Sequence, residues 1–199
     1  NNIYAGNWFY FGDFDSDGDP DLMTQNEDYF NNVTYYENIG YNFVNQGILI
    51  TNSNEFVISD PQMTPCFSDI DNDGDLDFFT GNAVGTITFY ENLGFSENYS
   101  PQFEYKTNFW QEISIIGPSI RHGASALAFI DLDGDLDLDL AWGDYFQHSL
   151  YVISNIGTVE SPQMDVNNIL QQYPFENPII SAGQNMPSFV DIDSDGDQD

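Results

Sequence analysis

The sequence predicts an all-β protein built from repeated antiparallel sheets. One acidic pattern occurs four times in the 199 residues, and its starts are separated by 56, 62 and 60 residues. The intervening segments, for example 46–51, 56–59, 77–80 and 86–91, are short, rich in Ile, Val, Thr, Tyr and Phe, and bounded by turn residues. No stretch has a convincing helical period. Three or four strands in each unit of about 60 residues indicate one sheet per repeat, as in the blades of a β-propeller.

The segments that follow the acidic pattern also repeat, and together the two repeats define the domain organisation. A β-rich run follows each of the first three copies and ends in Asn-Ile-Gly or Asn-Leu-Gly, at Asn38, Asn92 and Asn155. Each Asn lies 17, 15 or 16 residues after the last acidic residue of its copy. We therefore interpret residues 1–199 as a partial β-propeller with repeats at about 13–68, 69–130 and 131–190. Residues 191–199 open a fourth repeat, and residues 1–12 are expected to end a preceding one.

The charge of the chain excludes several classes of partner. There are 33 acidic and 2 basic residues, a net charge of −31, and yet 41% of the residues are hydrophobic and 16% aromatic. This composition is too rich in aromatics for a disordered acidic tail. Nothing could neutralise nucleic-acid phosphates or bind an anionic membrane surface, and no apolar run reaches the ~18 residues that span a bilayer. Cations are the expected counter-charge.

The four acidic loops are the candidate cation sites. Each has nine positions, with Asp at positions 1, 3, 5, 7 and 9. Loop one has Asp13, Asp15, Asp17, Asp19 and Asp21; loop two has Asp69, Asp71, Asp73, Asp75 and Asp77; loop three has Asp131, Asp133, Asp135, Asp137 and Asp139; loop four has Asp191, Asp193, Asp195, Asp197 and Asp199. Two like charges at ~4 Å repel by roughly 1–4 kcal/mol, so a closed loop needs a cation. Alternating hard oxygen ligands favour Ca²⁺, with Mg²⁺ second, one ion per loop.

The spacing assigns a role to each position. Positions 1, 3 and 5 offer side-chain ligands, position 7 offers its carbonyl with the side chain outside, and position 9 closes the shell. Glycine at position 6 (Gly18, Gly74 and Gly196) permits a left-handed backbone there. An EF-hand is excluded, because position 12 is Thr24, Thr80 or Trp142 rather than an acid. A nonapeptide β-helix is excluded by the repeat length.

Loop three departs from this pattern. Leu136 stands at position 6, and Gly134 stands two residues earlier. A leucine with positive φ costs on the order of 1–3 kcal/mol. Loop three is therefore expected either to turn differently or to bind its ion more weakly.

These residues resemble the FG-GAP/VCBS repeat family, the integrin-α-like β-propellers. The resemblance rests on Phe-x-Asp-x-Asp-x-Asp-Gly-Asp-x-Asp, which begins at Phe11, Phe67 and Phe189, and on the trailing Tyr-x-Asn-x-Gly. It implies propellers, usually of seven blades, with Ca²⁺ in the loop that joins two strands of a blade. It implies side-chain ligands at positions 1, 3, 5 and 9 of each loop. It also implies a secreted or cell-surface protein that serves adhesion, ligand binding or scaffolding. Seven units would need about 420 residues, so we expect either a fragment of a longer protein or blades completed by other chains.

Three functions are compatible with this pattern. The first is a calcium-stabilised extracellular adhesion or scaffold module, whose partner is a protein or glycan at the cell surface. The second is a lectin-like propeller that stacks sugars on Trp8, Trp110 or Trp142, although packing between blades is the favoured role of these residues. The third is a filament subunit that binds further copies of itself. We do not expect an enzyme, since His122 and His148 belong to no recognisable triad. Cys66 is expected to be a small core residue.

Overall fold

The computed structural model describes residues 3–95, 100–114, 126–143, 148–183, 185–190 and 192–193, and within them the chain forms three antiparallel sheets. Sheet one has the order β1 (Phe9–Gly12), β2 (Asp21–Gln25), β3 (Val33–Asn38) and β4 (Phe43–Ile48). Sheet two has the order β5 (Cys66–Ser68), β6 (Asp77–Gly81), β7 (Ile87–Phe95) and β8 (Pro101–Thr107). Sheet three has β10 (Asp139–Gly143) between β9 (Ala126–Ile130) and β11 (Tyr151–Ile153). A 3₁₀ turn, Trp110–Glu112, follows sheet two. The all-β prediction with repeated sheets is confirmed.

The sheets are offset by one strand from the repeats counted along the sequence. Residues 1–12 were expected to end a preceding unit, but β1 pairs with β2, with Phe11 opposite Leu22. The reason is that each acidic loop is a hairpin connection, so the strand before the loop belongs to the same sheet as the strand after it. The segment 56–59 is also no strand: Phe56 and Ile58 form only isolated bridges, to Ile50 and Asn32.

Each sheet has a leading face, and in sheets two and three this face packs on the sheet before it. In sheet two this face carries Phe67, Phe78 and Tyr90, which pack against sheet one, for example on Met23. In sheet three the register places Phe129, Leu140 and Ile153 at the same positions, and they pack against sheet two. Directly opposite residues share one face of an antiparallel pair, so the face is continuous across the strands.

The opposite, trailing face of sheets one and two packs on the sheet that follows. Phe78 faces sheet one, whereas its neighbour Phe79 packs against Phe129 of sheet three with the ring centroids 4.6 Å apart. This alternation is the period of two that a strand imposes. Burying each such phenylalanine contributes about 1.5–3 kcal/mol. On the far side of sheet three, Leu170 and Phe189 cover Ala141 and Val152. The sheets therefore stack like successive blades, as an open partial propeller.

The tryptophans belong to this core. Trp8, Trp110 and Trp142 are 4%, 5% and 1% exposed. Packing between blades is therefore confirmed, and none of the three offers a ring face on which a sugar could stack. Cys66 is also buried, as expected, and burial raises the pKa of its thiol, so it is a core residue rather than a reactive one.

Candidate metal centres

Three acidic loops lie at the same place in the three sheets. Residues 13–20 connect β1 to β2, residues 69–76 connect β5 to β6, and residues 131–138 connect β9 to β10. Each loop is thus the hairpin between the first and second strand of its sheet. This repeated placement brings the aspartates of one loop together and keeps the three loops separate.

Each loop brings three carboxylates within reach of one ion. In every triad, one oxygen from each carboxylate lies within 4.8 Å of the others. The triads are Asp13, Asp15 and Asp21 in loop one, Asp69, Asp71 and Asp73 in loop two, and Asp131, Asp133 and Asp135 in loop three. Positions 1 and 3 are present in all three, while the third member is position 9 in loop one and position 5 in the others. The side chains at position 7 lie outside the triads.

The backbone turns in the same way in all three loops. The position-1 carboxylate accepts a hydrogen bond from the position-6 N–H, at 3.0 Å for Gly18 to Asp13 and 3.0 Å for Leu136 to Asp131. The pair Gly74 and Asp69 repeats this bond at 3.1 Å. The position-5 carboxylate accepts from the position-7 N–H at 2.9, 3.0 and 3.1 Å. The alternative that loop three turns differently is therefore wrong.

Two positions in each loop have left-handed backbone. Position 6 has φ of 92° at Gly18, 97° at Gly74 and 76° at Leu136, as the sequence predicted for a loop of this kind. Position 4 was not foreseen: φ is 56° at Ser16, 58° at Asn72 and 81° at Gly134. The glycine of loop three thus sits at one left-handed position and the leucine at the other. The strain predicted for Leu136 is present in the structure.

The position-9 aspartates anchor the loops to the sheets. Asp21, Asp77 and Asp139 are 0%, 1% and 2% exposed. Their Oδ1 atoms accept hydrogen bonds from backbone N–H groups at the end of β3, within β7 and two residues after β11. The donors are Asn38 at 2.8 Å, Asn92 at 2.7 Å and Asn155 at 2.8 Å.

The trailing asparagine is the functional residue that sequence reasoning left without a role. The Nδ2 group of Asn38 donates to the Pro20 carbonyl at 3.0 Å, and that of Asn92 donates to the Leu76 carbonyl at 3.1 Å. Both carbonyls belong to position 8 of a loop. The constant spacing of 15 to 17 residues from the last loop aspartate was the signal that could have revealed this contact.

The second oxygen of position 9 distinguishes the loops. Asp21 Oδ2 accepts hydrogen bonds from the Phe14 N–H and the Tyr35 hydroxyl, both at 3.0 Å. Asp139 Oδ2 accepts from the Leu132 N–H at 3.0 Å. Asp77 Oδ2 is buried without a hydrogen bond of normal geometry, because the Ile70 N–H, which lowers the pKa of this carboxyl slightly, falls short of one. Asp71 Oδ1 in the same loop is also buried and without a partner. A buried anionic oxygen without a donor is costly unless a cation contacts it, so these atoms fit a metal ion.

The carboxylates hold protons unusually well when no ion is bound. Burial raises the pKa of Asp77 to about 8, with a further rise from the charges of Asp71 and Asp73. Burial also raises the pKa of Asp15 and of Asp137 to about 6, and repulsion from neighbouring aspartates adds to both. The pKa values of Asp21, Asp71, Asp75 and Asp139 are raised as well, mainly by burial. A bound cation would reverse this effect by favouring the charged form.

Position 7 differs between the loops. The side chains of Asp19 and Asp75 are half-buried, whereas Asp137 is 5% exposed and lies beside Asp135. The sequence predicted that the side chain at position 7 lies outside the metal site. In loop three this side chain is buried instead. The assignment of individual ligands remains a prediction in every loop.

Loop four is almost entirely outside the described residues. Asp191, Asp195, Asp197 and Asp199 are not described, and Asp193 is exposed. The predicted fourth site therefore stays a prediction. Arg121 and His122 also lie outside the described residues, while His148 is exposed, with Nδ1 3.0 Å from the carbonyl oxygen of Ser181.

Among the described residues, no basic side chain neutralises the loops. Lys106 pairs with Glu91 at 2.6 Å and with Glu104 at 2.7 Å on sheet two. In the part of the chain that the structure describes, no loop aspartate forms an ion pair. The same part contains no helix with the length and apolar character needed to cross a membrane.

Comparison with known proteins agrees with this geometry. The model of the FG-GAP-like repeat matches the chain twice, at residues 13–80 and 69–142. Each match starts at position 1 of a loop and extends into the strand that follows the next loop. No curated protein matches the chain. With more than half of its length matched, the chain belongs to the FG-GAP-like repeat family.

Proposed function

We propose that the chain is a calcium-stabilised β-propeller module in which each acidic loop binds one Ca²⁺. The observation that carries this proposal is the repeated triad, with three carboxylates within 4.8 Å in each of three loops. The buried, unpartnered oxygens of Asp71 and Asp77 support it. Ca²⁺ accepts six to eight oxygen ligands in flexible geometry, whereas Mg²⁺ demands a stricter octahedron and retains its waters, so Ca²⁺ is the better fit.

The ion would act on the stability of the sheet. It neutralises the repulsion within a triad and thereby holds the hairpin between the first two strands closed. The loop is in turn joined to the third strand through the position-9 aspartate, as in the bond from Asn92 to Asp77. Calcium is thus proposed to be structural, and it would stabilise the folded state by linkage.

Calorimetric titration of the metal-free protein with Ca²⁺ tests this proposal. We expect at least three bound ions per chain and weaker binding of Mg²⁺. Asp71→Asn should remove one ion, because Asp71 belongs to the triad of loop two. Asp75→Asn is the matched control, since it makes the same change in the same loop where only the carbonyl is needed, and it should keep all ions. An unchanged heat signal on calcium addition would refute the proposal.

We further propose that the module is extracellular and serves adhesion or scaffolding rather than catalysis. Support comes from the family, which implies a surface or secreted location, and from the calcium sites, because extracellular Ca²⁺ fills even sites with Kd of about 10⁻⁴–10⁻³ M. The partner would be a protein. A glycan array with the calcium-loaded module should be negative, since Trp8, Trp110 and Trp142 are buried. Selective binding to one class of glycan would instead support the lectin-like function.

Assembly with further copies is a second candidate, favoured by the leading face of sheet one. Phe11 is 52% exposed, although its counterpart Phe67 is 4% exposed. Phe9 is 60% exposed beside it. Sedimentation velocity at increasing concentration should detect self-association that Phe11→Ser weakens. Val84→Ser is the control, because Val84 is an exposed residue in a turn between β6 and β7. A monomer at every concentration would contradict this candidate.

A further inference from the structure

We propose that the three described loops bind calcium with unequal affinity and that loop two is filled first. This inference rests on the proposed function, because it orders sites that must bind the ion at all. The three loops share the bond from the position-6 N–H to the position-1 carboxylate. The position-5 N–H donates to Asp15 in loop one and to the position-1 carboxylate in the other two loops. The side chains around the shared turn also differ, and these side chains can be exchanged between loops.

Loop two has the greatest unmet demand for a cation. Asp77 is 1% exposed, and its Oδ2 has no hydrogen-bond partner. Asp71 Oδ1 is likewise buried and without a partner, and Asp71 belongs to the triad of this loop. Among the loops that the structure describes, this is the one with such carboxylate oxygens. Neither atom has a hydrogen-bond partner among the described residues, so a cation gains more there than at a carboxylate that is already satisfied.

In loop one, the protein itself supplies hydrogen bonds to the corresponding carboxylate oxygen of position 9. Asp21 Oδ2 accepts the Tyr35 hydroxyl as well as the Phe14 N–H. The register gives Tyr35 the counterparts Phe89 and Val152 in the other sheets, and neither has a hydroxyl. An ion at Asp21 must compete with the tyrosine, which lowers its gain.

Loop three has a conformational cost instead. Leu136 holds φ of 76° at position 6, where loops one and two have Gly18 and Gly74. An ion that requires the closed turn must keep a leucine in this region, and the binding free energy is reduced by that strain. The side chain of Asp137 is also buried beside Asp135, so a further carboxylate crowds this loop.

Loss of one ligand per loop tests the order. Asp15→Asn, Asp71→Asn and Asp133→Asn make the same change at position 3 of loops one, two and three. Calorimetric titration of each metal-free variant should find that Asp71→Asn alone removes the tightest binding step. The other two variants should keep that step within about twofold and lose a weaker one. Circular dichroism checks that each variant is folded.

Exchange of the distinguishing side chains tests the causes. Tyr35→Phe copies loop two and should tighten calcium binding in loop one about three- to tenfold. Leu136→Gly should tighten loop three by a similar factor, whereas Gly74→Leu should weaken the first step.

The outcomes separate the two proposals. Absence of any calcium binding refutes the proposed function, and the order falls with it. Binding in three equal steps, or a tightest step that survives Asp71→Asn, refutes the order and leaves the calcium sites standing.

Discussion

Leu136 and Gly134 illustrate what single residues reveal and conceal in the sequence. The unusual leucine at position 6 was enough to predict strain, and the structure has φ of 76° there. The second left-handed position was missed, because Ser16 and Asn72 at position 4 look like ordinary loop residues. Asparagine tolerates this backbone region, and serine does so less well, so composition alone gives a weak signal. Because position 4 also has positive φ, Gly134 avoids backbone strain at this position of loop three.

Leu136→Gly should stabilise the calcium-loaded protein by about 1 kcal/mol, because the closed turn keeps this position at positive φ, which glycine adopts without strain. Leu136 is 77% exposed, so little packing is lost. Urea unfolding in saturating calcium measures the change. Leu136→Ala is the control: it removes the same exposed side chain but keeps Cβ, and it should not stabilise. Equal stabilisation by both variants would attribute the effect to surface hydrophobicity instead.

The sequence predicted the strands and hairpins that carry the metal loops better than it predicted which strands belong to the same sheet. The acidic pattern located three hairpins, and the alternating residues located β6 and β7. The membership of β1 in sheet one could not be predicted, because it depends on pairing with β2 across the loop. The role of the trailing asparagines also required the register, since Asn92 meets Asp77 only when β6 and β7 are paired.

Asn92→Ala should destabilise the protein by about 1–3 kcal/mol, because it leaves the Leu76 carbonyl and the Gly94 N–H without their partners. Asn92 is 2% exposed, so water cannot replace these bonds. Chemical denaturation measures the loss, and calcium titration should find weaker binding in loop two. Asn42→Ala is the matched control, because Asn42 is exposed in the turn before β4 and its change should be small. Equal effects of the two variants would exclude the proposed link between strand and loop.

The whole molecule combines an aromatic core with an excess of negative charge. Stacking of sheets and burial of Trp8 and Trp142 followed from the repeat and its apolar residues. The hydrogen bonds to Asp21, Asp77 and Asp139 did not follow, because they depend on how the strands after each loop pair. The excess negative charge in the sequence predicted that the protein binds cations. The differences between the loops could not be predicted from the sequence, because they depend on hydrogen bonds and backbone angles.

The metal-free protein should lose stability as the pH rises from about 4 to about 8. Burial raises the pKa of Asp77 from 3.8 to about 8 and that of Asp15 from 3.8 to about 6, so the folded state binds protons that the unfolded chain releases. This contribution is fully present below pH 3.8 and is lost as the pH passes the folded values. Urea midpoints across this range, measured without metal, test the sign. Rising stability over the same range would contradict the burial of these groups.

Thermal unfolding with and without calcium tests the central claim most directly. At a free Ca²⁺ concentration 100 times Kd, each site adds about 2.7 kcal/mol, which for a chain of this size raises Tm by roughly 5–11 °C. We predict a rise of at least this size in calcium over chelator, and a smaller rise for Asp71→Ala, whose Tm in chelator stays near that of the parent. The same Tm in calcium and in chelator would contradict the account, because the loops would then be closed without an ion.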